Sequence, residues 1–434
     1  MELLGAARRI LAQAPVCDSC LGRPFADRSH GLTVAERGRA LRITVALADD
    51  GEYARYDGGC WVCEDLCATF DTWADRVVDR LEDYVFETYQ IGSRVPPLYE
   101  ENERLLREEA GLEPDAGEAM KAEVNREVGK RVGRALDVQV DFGRPDVLAI
   151  LELEADLVET QINPAFVYGR YRKLERGLPQ TEWPCRECGG SGRQDGDPCD
   201  HCGGDGYLYA DSVEELVAPV IQDAMDGIDA TFHGAGREDV DARMLETGRP
   251  FVVEVDHPTD RFPDVEALEA AVNNHAADRV EVDDLQLATY EMVERVKELP
   301  ATKTYRARVA FEASVEAVAF ESALSALDGA TIEQDTPQRV SHRRAEKTRQ
   351  RTVHRIDGTL ENPSEATIEV QGEGGLYIKE LMHGDDGRTR PSLAGQLETE
   401  ATVTALDVVA VEAAEGRFAD PDYLREAPEA AAGD

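Results

Sequence analysis

Residues 236–255 read GREDVDARMLETGRPFVVEV, and this stretch decides the fold of the C-terminal part of the chain. Its second half, from Gly248 to Val255, is rich in β-branched and aromatic residues and predicts a strand. The first half is dense in charge and predicts a loop that feeds the sheet. A carboxylate between arginines on such a loop, here Asp239, stays ionised, which is the state that a nucleophile needs. An Arg-x-Asp spacing is also common in surface ion pairs, so this stretch alone leaves both interpretations open.

Length and composition indicate a globular protein with packed cores. The chain has 434 residues, which is typical of two or three domains, and 42% of them are apolar. No run approaches 18 uninterrupted apolar residues, and the apolar stretch after Arg9 is broken at Gln13 and Pro15. The sequence therefore predicts neither a membrane span nor an export signal, and the expected location is the cytoplasm.

The charge balance is strongly acidic. Asp and Glu number 88 against 47 Lys and Arg, so the net charge is −41, and seven of the 47 cations are lysine. This bias is typical of a protein that stays soluble in a cytoplasm of very high salt, and it predicts a halophilic host. An acidic protein ordinarily repels nucleic acid, but at molar salt the screening length falls to about 3 Å. Local basic clusters therefore say more about partners than the total charge does.

Eight of the nine cysteines stand in Cys-x-x-Cys pairs. In a cytosolic chain this spacing favours a metal knuckle over a disulfide, because the turn aims two thiolates at one tetrahedral ion. Pairing the knuckles by proximity predicts two zinc sites, the first made by Cys17, Cys20, Cys60 and Cys63 and the second by Cys185, Cys188, Cys199 and Cys202. Cys67 is left over as a small buried apolar residue, and Cys63 with Cys67 stays open as the second knuckle of the first site.

The second cluster contains a short repeat. Residues 185–192 read CRECGGSG and residues 199–206 read CDHCGGDG. Glycines let the backbone turn tightly behind each knuckle, and four thiolates leave no open position on the ion, so a structural zinc is predicted. Similar repeats occur in zinc-dependent chaperone-like modules. Those carry four repeats and a His-Pro-Asp motif, whereas here His257-Pro258 is followed by Thr259.

The N-terminal pattern indicates a small α/β domain attached to a zinc module, over residues 1–164. Residues 74–87 have apolar residues at helical spacing, and residues 101–135 have the charge density of solvated helices. The apolar run Val147–Leu151 predicts a buried strand.

The second domain is expected over residues 165–420, with the zinc ribbon as an insertion at 183–207. After the ribbon, Ser212 and Glu215 have the spacing of a capping box and predict the start of a helix. The Ala- and Glu-rich residues 421–434 are predicted to be a disordered tail.

Two further segments combine aromatic rings with cations. Residues 302–309 alternate like a strand and place Tyr305 among cations, and Tyr377 lies in a Gly-rich stretch with a cationic end. Both tyrosines can equally be core aromatics. Between them, residues 339–355 hold seven Arg or Lys and one Glu, and in so acidic a chain this reversal of sign predicts an element that contacts phosphates.

With these motifs in order, the sequence resembles the archaeal and eukaryotic tRNA pseudouridine synthases that modify uridines 54 and 55 of the T loop. The resemblance spans most of the chain. Besides the N-terminal cysteine knuckles, it is carried by Tyr168–Lys173, Leu178–Gln180, Gly236–Asp241, Gly248–Phe251, Lys303–Tyr305, His342–Arg344, Tyr377–Glu380 and His383–Asp385. The resemblance implies an α+β chain, with an N-terminal zinc-bearing RNA-binding domain of THUMP type and a C-terminal pseudouridine synthase domain with a mixed or antiparallel sheet.

The resemblance also implies roles for individual residues. Asp239 would be the catalytic aspartate, with Asp241 as the nearest alternative. Tyr305 would stack on the target uracil, Tyr377 would contact the substrate, Lys379 would pair with Asp239, and Leu406 would pack beneath the ring. Arg237 would fill the space that the everted base leaves, and RNA contacts are expected from Arg343, Arg344, Lys347, Arg349 and Arg351. The chain departs from the family pattern at Glu246, where a small residue is expected, at Leu376, where Thr is expected, and in its longer ribbon.

The chemistry of the implied reaction needs few parts. Uridine is isomerised by breaking the glycosidic bond to nitrogen, rotating the base and rejoining it through carbon, without redox change, so no organic cofactor is expected. tRNA is the expected partner. A non-catalytic, zinc-containing tRNA-binding protein is the alternative, since it would keep the basic segment and would not need Asp239. The sequence leaves open the oligomeric state, the number of uridines modified and the atom that Asp239 attacks.

Overall fold

The chain divides into two compact units, residues 1–163 and residues 164–434. The structure is a computed structural model that describes residues 3–337 and 347–428. Arg343 and Arg344, predicted to contact RNA, lie outside the described residues.

The N-terminal unit contains six α-helices and one sheet within its described residues. The helices are α1 Leu3–Leu11, α2 Asp18–Gly22, α3 Val34–Ala48, α4 Phe70–Arg80, α5 Pro97–Glu109 and α6 Met120–Leu136. The strands are β1 Thr88–Arg94, β2 Gln139–Val140, β3 Val147–Glu152 and β4 Leu157–Ile162, in the order β2-β1-β3-β4. β1 pairs in parallel with β2 and β3, and β4 pairs antiparallel with β3.

One face of strand β3 packs into the core of this unit. β3 buries every second residue, Val147, Ala149 and Leu151, in the core that helices α4 and α6 also contact. Helix α4 ends at Arg80, earlier than the spacing over 74–87 predicts, because the backbone leaves helical geometry at Leu81, where φ is −107° and ψ is 5°.

The C-terminal unit is built on a long sheet. Its strands are β5 Ala165–Lys173, β6 Arg193–Gln194, β7 Asp197–Pro198, β8 Asp229–Gly234, β9 Arg243–Asp256, β10 Val280–Ala288, β11 Ala301–Phe311, β12 Thr331–Asp335, β13 Thr348–Asn362, β14 Glu365–Glu373, β15 Thr389–Arg390 and β16 Ala401–Ala413. Its helices are α7 Val213–Ala224, α8 Val265–Ala276, α9 Tyr290–Glu298, α10 Ala317–Leu327, α11 Ile378–His383 and α12 Leu393–Leu397. As the sequence predicts, α7 begins after Ser212, whose hydroxyl accepts a hydrogen bond from the Glu215 amide.

Ten strands form this sheet within the described residues. The order is β10-β5-β9-β16-β11-β14-β13-β12-β15, with β8 paired to β9 outside that path. Strands β9 and β16 pair in parallel, and the other described pairs are antiparallel. The prediction of an α+β fold with a mixed sheet is therefore confirmed.

Two apolar cores lie along this sheet. One includes residues of β5, β9, β10 and helices α7 to α9, and the other includes residues of β11, β13, β14 and helices α10 to α12. Tyr305 packs against both cores. The region where the two halves of the sheet join is thus where side chains from distant parts of the sequence meet.

The structure departs from the predicted disordered tail in residues 421–425. Pro421–Tyr423 forms a turn of 3₁₀ helix, the Thr289 amide donates to the Tyr423 carbonyl, and the Arg425 amide donates to the Leu287 carbonyl. These hydrogen bonds attach the segment to the edge of β10, which composition alone does not indicate. Residues 429–434 lie outside the described part of the chain.

Across residues 3–337 and 347–428, every helix is too short or too polar to cross a membrane.

Candidate active site

The loop of residues 235–242, between β8 and β9, is held in place by side chains that donate hydrogen bonds to its backbone carbonyls. Arg249 Nη1 donates to the Ala235 carbonyl at 2.8 Å, and Gln180 Nε2 donates to the Gly236 carbonyl at 2.9 Å. Lys173 Nζ lies 3.3 Å from the carbonyl oxygens of both Asp239 and Val240. Four carbonyls of the loop are thus fixed by side chains from β5, β9 and the residues after β5, which makes the loop a rigid platform.

Beneath the loop lies a buried charged cluster made of Glu238, Arg249 and Lys173, together with the Tyr171 hydroxyl. Arg249 Nε donates to Glu238 Oε2 at 2.9 Å, and the Lys173 ammonium lies 3.7 Å from Glu238 Oε1. The Tyr171 hydroxyl donates to Glu238 Oε2 at 2.9 Å. Burial alone would raise the pKa of Glu238, but the charges of Arg249 and Lys173 outweigh it and lower that pKa. Glu238 therefore anchors the loop as a carboxylate, while its neighbour Asp239 is partly exposed.

A cavity of about 430 Å³ opens beside this loop. This volume falls within the range of pockets that hold small ligands. Its lining includes Asp239, Tyr305, Tyr377, Lys379, Leu406 and Arg237, the six residues singled out from the sequence as catalytic or substrate-binding. They come from the 235–242 loop, β11, the segment before α11, helix α11 itself and β16. Their individual roles stay predictions.

Lys379 places a positive charge at the two loop carboxylates. Its ammonium group lies 3.4 Å from Asp239 Oδ2 and 2.9 Å from Asp241 Oδ2. The side chain of Asp239 is 41% exposed and lines the cavity, whereas that of Asp241 is 71% exposed and is not part of the lining. Of the two carboxylates that the sequence offers, Asp239 is therefore the one that lines the cavity.

Tyr305 and Leu406 lie on neighbouring strands and share one face of the sheet. Tyr305 pairs with Val408, and Ala307 pairs with Leu406, so alternate residues of β11 and β16 point to the same side. Burial, together with the nearby negative charges of Asp239 and Glu238, raises the pKa of Tyr305 to about 12, against the opposing effect of Arg249. The phenol is therefore protonated at any physiological pH, and its ring is an uncharged face toward the cavity.

Tyr377 is fixed at its backbone and has a free hydroxyl. The Gln334 side chain accepts from the Tyr377 amide and donates to its carbonyl, both at 2.9 Å. The hydroxyl oxygen is buried and lacks a hydrogen-bond partner among the described residues. A buried hydroxyl without a partner costs free energy, so a ligand group in the cavity is a suitable partner for it.

The described part of the basic segment lies partly at the same cavity. Arg351 lines it and donates from Nε to the Gly374 carbonyl at 3.0 Å. Arg349 Nη1 donates to the Thr336 hydroxyl at 2.7 Å, and Lys347 is exposed. Among the described residues of this segment, Arg351 is thus the one that lines the cavity.

Sequence reasoning missed several residues of the site. The buried cluster under the loop was not expected, although Lys173 is one of only seven lysines in the chain. Lys297 and Lys303 also line the cavity, so with Lys379 three of the seven lysines do so. The rarity of lysine in a chain that mostly uses arginine was the sequence signal that could have pointed to these residues.

Two of the three departures from the family pattern, Glu246 and Leu376, have structural counterparts. Glu246 has a φ of +44°, in the left-handed region that favours a small residue, and its side chain pairs with Arg306 at 2.8 Å. Leu376 is 4% exposed and lines the cavity, so it adds apolar surface where a hydroxyl was expected.

Both predicted four-cysteine groups are assembled. In each group of four cysteines the sulfur atoms lie within 4.8 Å of one another, and the groups are those predicted. The Cys17–Cys63, Cys185–Cys199 and Cys188–Cys202 sulfur pairs are 3.8, 3.9 and 3.8 Å apart. Tetrahedral zinc with Zn–S bonds of about 2.3 Å puts its sulfurs about 3.8 Å apart, so the residues fit zinc. Cys67 lies outside the first group, and its sulfur accepts from Arg23 Nη2 at 3.2 Å.

Comparison with known proteins identifies the family. Residues 166–412 match the family described as Pus10, C-terminal, and residues 73–152 match the Pus10 THUMP domain, archaeal. The chain is 58% identical over 427 residues to the tRNA pseudouridine synthase Pus10 of Halorubrum lacusprofundi, covering 98% of this chain and 100% of that protein. This chain belongs to the Pus10 family of tRNA pseudouridine synthases. The resemblance stated from the sequence is therefore confirmed.

A second Pus10 relative shares less of its sequence with this chain. The chain is 44% identical to the tRNA pseudouridine synthase Pus10 of Methanothrix thermoacetophila, with 94% of each chain covered. Among solved structures, it overlaps the Cbf5-Nop10-Gar1 complex at a TM-score of 0.30 and 19% identity, over 46% of this chain and 45% of that chain. Values so low leave the Pus10 assignment resting on the sequence matches.

Proposed function

We propose that this chain isomerises uridine to pseudouridine at positions 54 and 55 of the tRNA T loop, with Asp239 as the nucleophile on an everted base. The observation that supports this proposal best is that Asp239, Tyr305 and Lys379, from separate segments of the sequence, line one cavity. A carboxylate, an aromatic platform and a cation are the groups that the reaction needs.

The proposed isomerisation exchanges one bond for another at C1′ of the ribose. The bond between N1 of uracil and C1′ of the ribose breaks, the base turns, and C5 bonds to C1′ while its proton is released and N1 gains one. The Asp239 carboxylate serves attack on either the sugar or the ring, and the Lys379 ammonium lies 3.4 Å from it. The atoms balance without an oxidant or reductant, so no organic cofactor is invoked.

The target base must first leave its stack. Eversion costs roughly a few kcal/mol, and stacking on an aromatic ring offsets about 1–3 kcal/mol of that cost. Tyr305 is assigned the stacking role because its neutral ring faces the cavity, and Leu406 packs beneath the ring. Tyr377 contacts the substrate through its buried hydroxyl. Arg237, exposed at the rim, fills the space that the base leaves.

RNA outside the cavity is bound by charge and shape. Arg351 at the lining and the nearby Arg349 and Lys347 are proposed phosphate contacts, as are Arg343 and Arg344 outside the described residues. In the high-salt cytoplasm that the acidic composition suggests, phosphate attraction contributes less, so stacking and shape carry more of the affinity. The eight clustered cysteines hold two structural zinc ions, since four thiolates fill the coordination sphere.

The test compares wild type with Asp239→Asn on unmodified tRNA in high KCl, with pseudouridine mapped at single-nucleotide resolution. We expect wild type to modify positions 54 and 55 and Asp239→Asn to yield no product. Asp241→Asn is the matched control, because that carboxylate also contacts Lys379. Equal product from wild type and Asp239→Asn would overturn the catalytic assignment. Binding without product from wild type would favour a non-catalytic tRNA-binding protein.

A further inference from the structure

The zinc ribbon has a defined base, formed where the chain enters and leaves it. Pro184 bridges to Tyr207, the Leu208 amide donates to the Trp183 carbonyl at 3.0 Å, and the Cys185 amide donates to the Gly206 carbonyl at 2.8 Å. Trp183 lies on the segment that enters this base, and Tyr209 lies beside it on the segment that leaves. Their ring centroids are 5.3 Å apart with planes at 78°, an edge-to-face contact that fixes the indole.

Arg237 of the 235–242 loop reaches this base. Its guanidinium carbon lies 5.3 Å from the centroid of the Trp183 ring, within the distance of a cation–π contact. Arg237 also lines the cavity, two residues before Asp239. Its backbone neighbour Glu238 is buried and anchored, whereas the Arg237 side chain is exposed. The anchored loop therefore fixes the backbone of Arg237, and the Trp183 indole is placed to position its guanidinium group.

We infer that Trp183 is a positioning residue for Arg237: the ribbon base holds the guanidinium at the cavity rim, in the place from which it enters the RNA stack when the target base leaves. The contact suits this role, because cation–π attraction at an exposed site is weak enough to be exchanged for stacking on nucleobases. A flat guanidinium can stack on the indole before eversion and on bases afterwards. The ribbon is thereby linked to catalysis through one side chain. This inference rests on the proposed function.

The zinc ribbon provides the stiffness that this role needs. Its glycines bring the two knuckles together so closely that a Cβ at Gly206, where φ is +84°, would lie 2.4 Å from the Gly190 carbonyl oxygen. The four ribbon cysteines tie these turns to one point. An indole attached to such a module keeps its place while the loop side chain moves.

Base eversion can be measured without chemistry. A T-stem-loop RNA carries 2-aminopurine next to the target uridine, and the fluorescence of this base rises when the uridine leaves the stack. All proteins in this assay carry Asp239→Asn, so that eversion is followed without isomerisation. Product formation is measured in a separate assay. Relative to that background, added Trp183→Leu should lower the rate of the fluorescence rise about two- to fivefold. RNA affinity should stay the same within error. Trp183→Phe, which keeps an aromatic face, should recover most of the rate. Tyr207→Leu is the matched control at the ribbon base, where Tyr207 is 38% exposed.

A double-variant cycle separates positioning from a merely structural role. If Trp183 acts through Arg237, adding Trp183→Leu to Arg237→Leu should slow eversion no further. An unchanged rate in Trp183→Leu overturns the inference, and so does an equal slowing in the presence and absence of Arg237. Product formation by Asp239→Asn would instead overturn the proposed function and leave the eversion result standing.

A second measurement, fluorine NMR, follows Trp183 itself, so the protein under study keeps this residue. The chain has three tryptophans, so labelling with 5-fluorotryptophan gives three fluorine resonances, and Trp183→Phe assigns one of them. RNA binding should shift the Trp183 resonance in the Asp239→Asn background. It should not shift in protein that also carries Arg237→Leu. A shift of equal size in both overturns the inference even where Trp183→Leu fails to fold.

Discussion

The ammonium group of Lys379 lies 3.4 Å from the nearer carboxylate oxygen of Asp239. Helix α11 supplies the lysine and the 235–242 loop supplies the aspartate, 140 positions apart in the sequence. Asp241 shares the same ammonium at 2.9 Å. Lys379 thus has two possible partners, of which Asp239 lines the cavity.

This arrangement predicts unequal effects of three substitutions. Lys379→Met removes the counter-charge at Asp239, and we expect kcat to fall about 100-fold, as for the loss of one charge-stabilising group in an enzyme site. Lys379→Arg keeps the charge with altered geometry and should be milder. Asp241→Asn leaves Lys379 with Asp239 alone and should change kcat least. The measurement is single-turnover pseudouridine formation in high KCl. A Lys379→Met enzyme as fast as wild type would show that the ion pair has no catalytic part.

The buried Glu238 predicts a pH dependence of stability. Its folded pKa is lowered below the ordinary 4.5, so its stabilising contribution is complete above pH 4.5 and is lost as the pH falls through the folded value. Glu238→Gln leaves Arg249 and Lys173 buried without their carboxylate and should cost about 3–5 kcal/mol of unfolding free energy near neutral pH. The deficit relative to wild type should shrink below pH 4.5, because wild type then loses the same charge.

Denaturant unfolding at constant KCl over a pH series measures this difference. Glu321→Gln is the matched control, since Glu321 is exposed on helix α10 and should give a small difference at every pH. A Glu238→Gln deficit that is the same at pH 3.5 and pH 7 would show that the pKa of Glu238 is not lowered in the folded protein.

The sequence allowed the site to be predicted where local spacing determines chemistry. Cys-x-x-Cys pairs bring two thiolates together by themselves, and the four-cysteine groups form as predicted. Alternation identified the strand that carries Tyr305. Asp239 and its cavity partners were named from family motifs, and the sheet brings them together.

The rest depends on packing between distant segments, which local pattern does not encode. Glu238 looks like a surface residue in a charged loop, yet Arg249 from β9 and Lys173 from β5 make it a buried anchor. Residues 421–425 look like a tail, yet the edge of β10 offers backbone groups that pair with them. Neither outcome follows from composition, because each requires knowing which strand lies opposite.

The two cysteine groups predict different consequences of metal loss. All four cysteines of the first group are buried in the core of the N-terminal unit, whereas Cys188 and Cys202 of the ribbon are only partly buried. Wild type should therefore hold about two equivalents of zinc, and Cys20→Ser and Cys188→Ser about one each. We expect Cys20→Ser to lower the Tm more, because it disturbs a core.

Elemental analysis under reducing conditions and thermal unfolding measure these quantities. Cys67→Ser is the control and should keep both equivalents, since Cys67 bonds to Arg23 rather than joining the first group. Loss of one equivalent in Cys67→Ser would reassign the second knuckle to Cys63 and Cys67. Fewer than one equivalent in wild type would remove both sites.

Substitutions of Tyr305 separate the contribution of its ring to RNA binding from that of its hydroxyl. The phenol has a pKa raised to about 12, so it is protonated and uncharged throughout the range in which the enzyme can be assayed. Tyr305→Phe should therefore bind the T-stem-loop RNA as tightly as wild type and show the same pH profile of kcat from pH 6 to 10. Tyr305→Leu keeps apolar bulk without a π face and should weaken binding of the everted base by about 1–3 kcal/mol. Binding titrations with both variants in the Asp239→Asn background test the affinities, and single-turnover assays of Tyr305→Phe with Asp239 intact test the pH profile. A Tyr305→Phe variant that binds as weakly as Tyr305→Leu would assign the role to the hydroxyl instead of the ring.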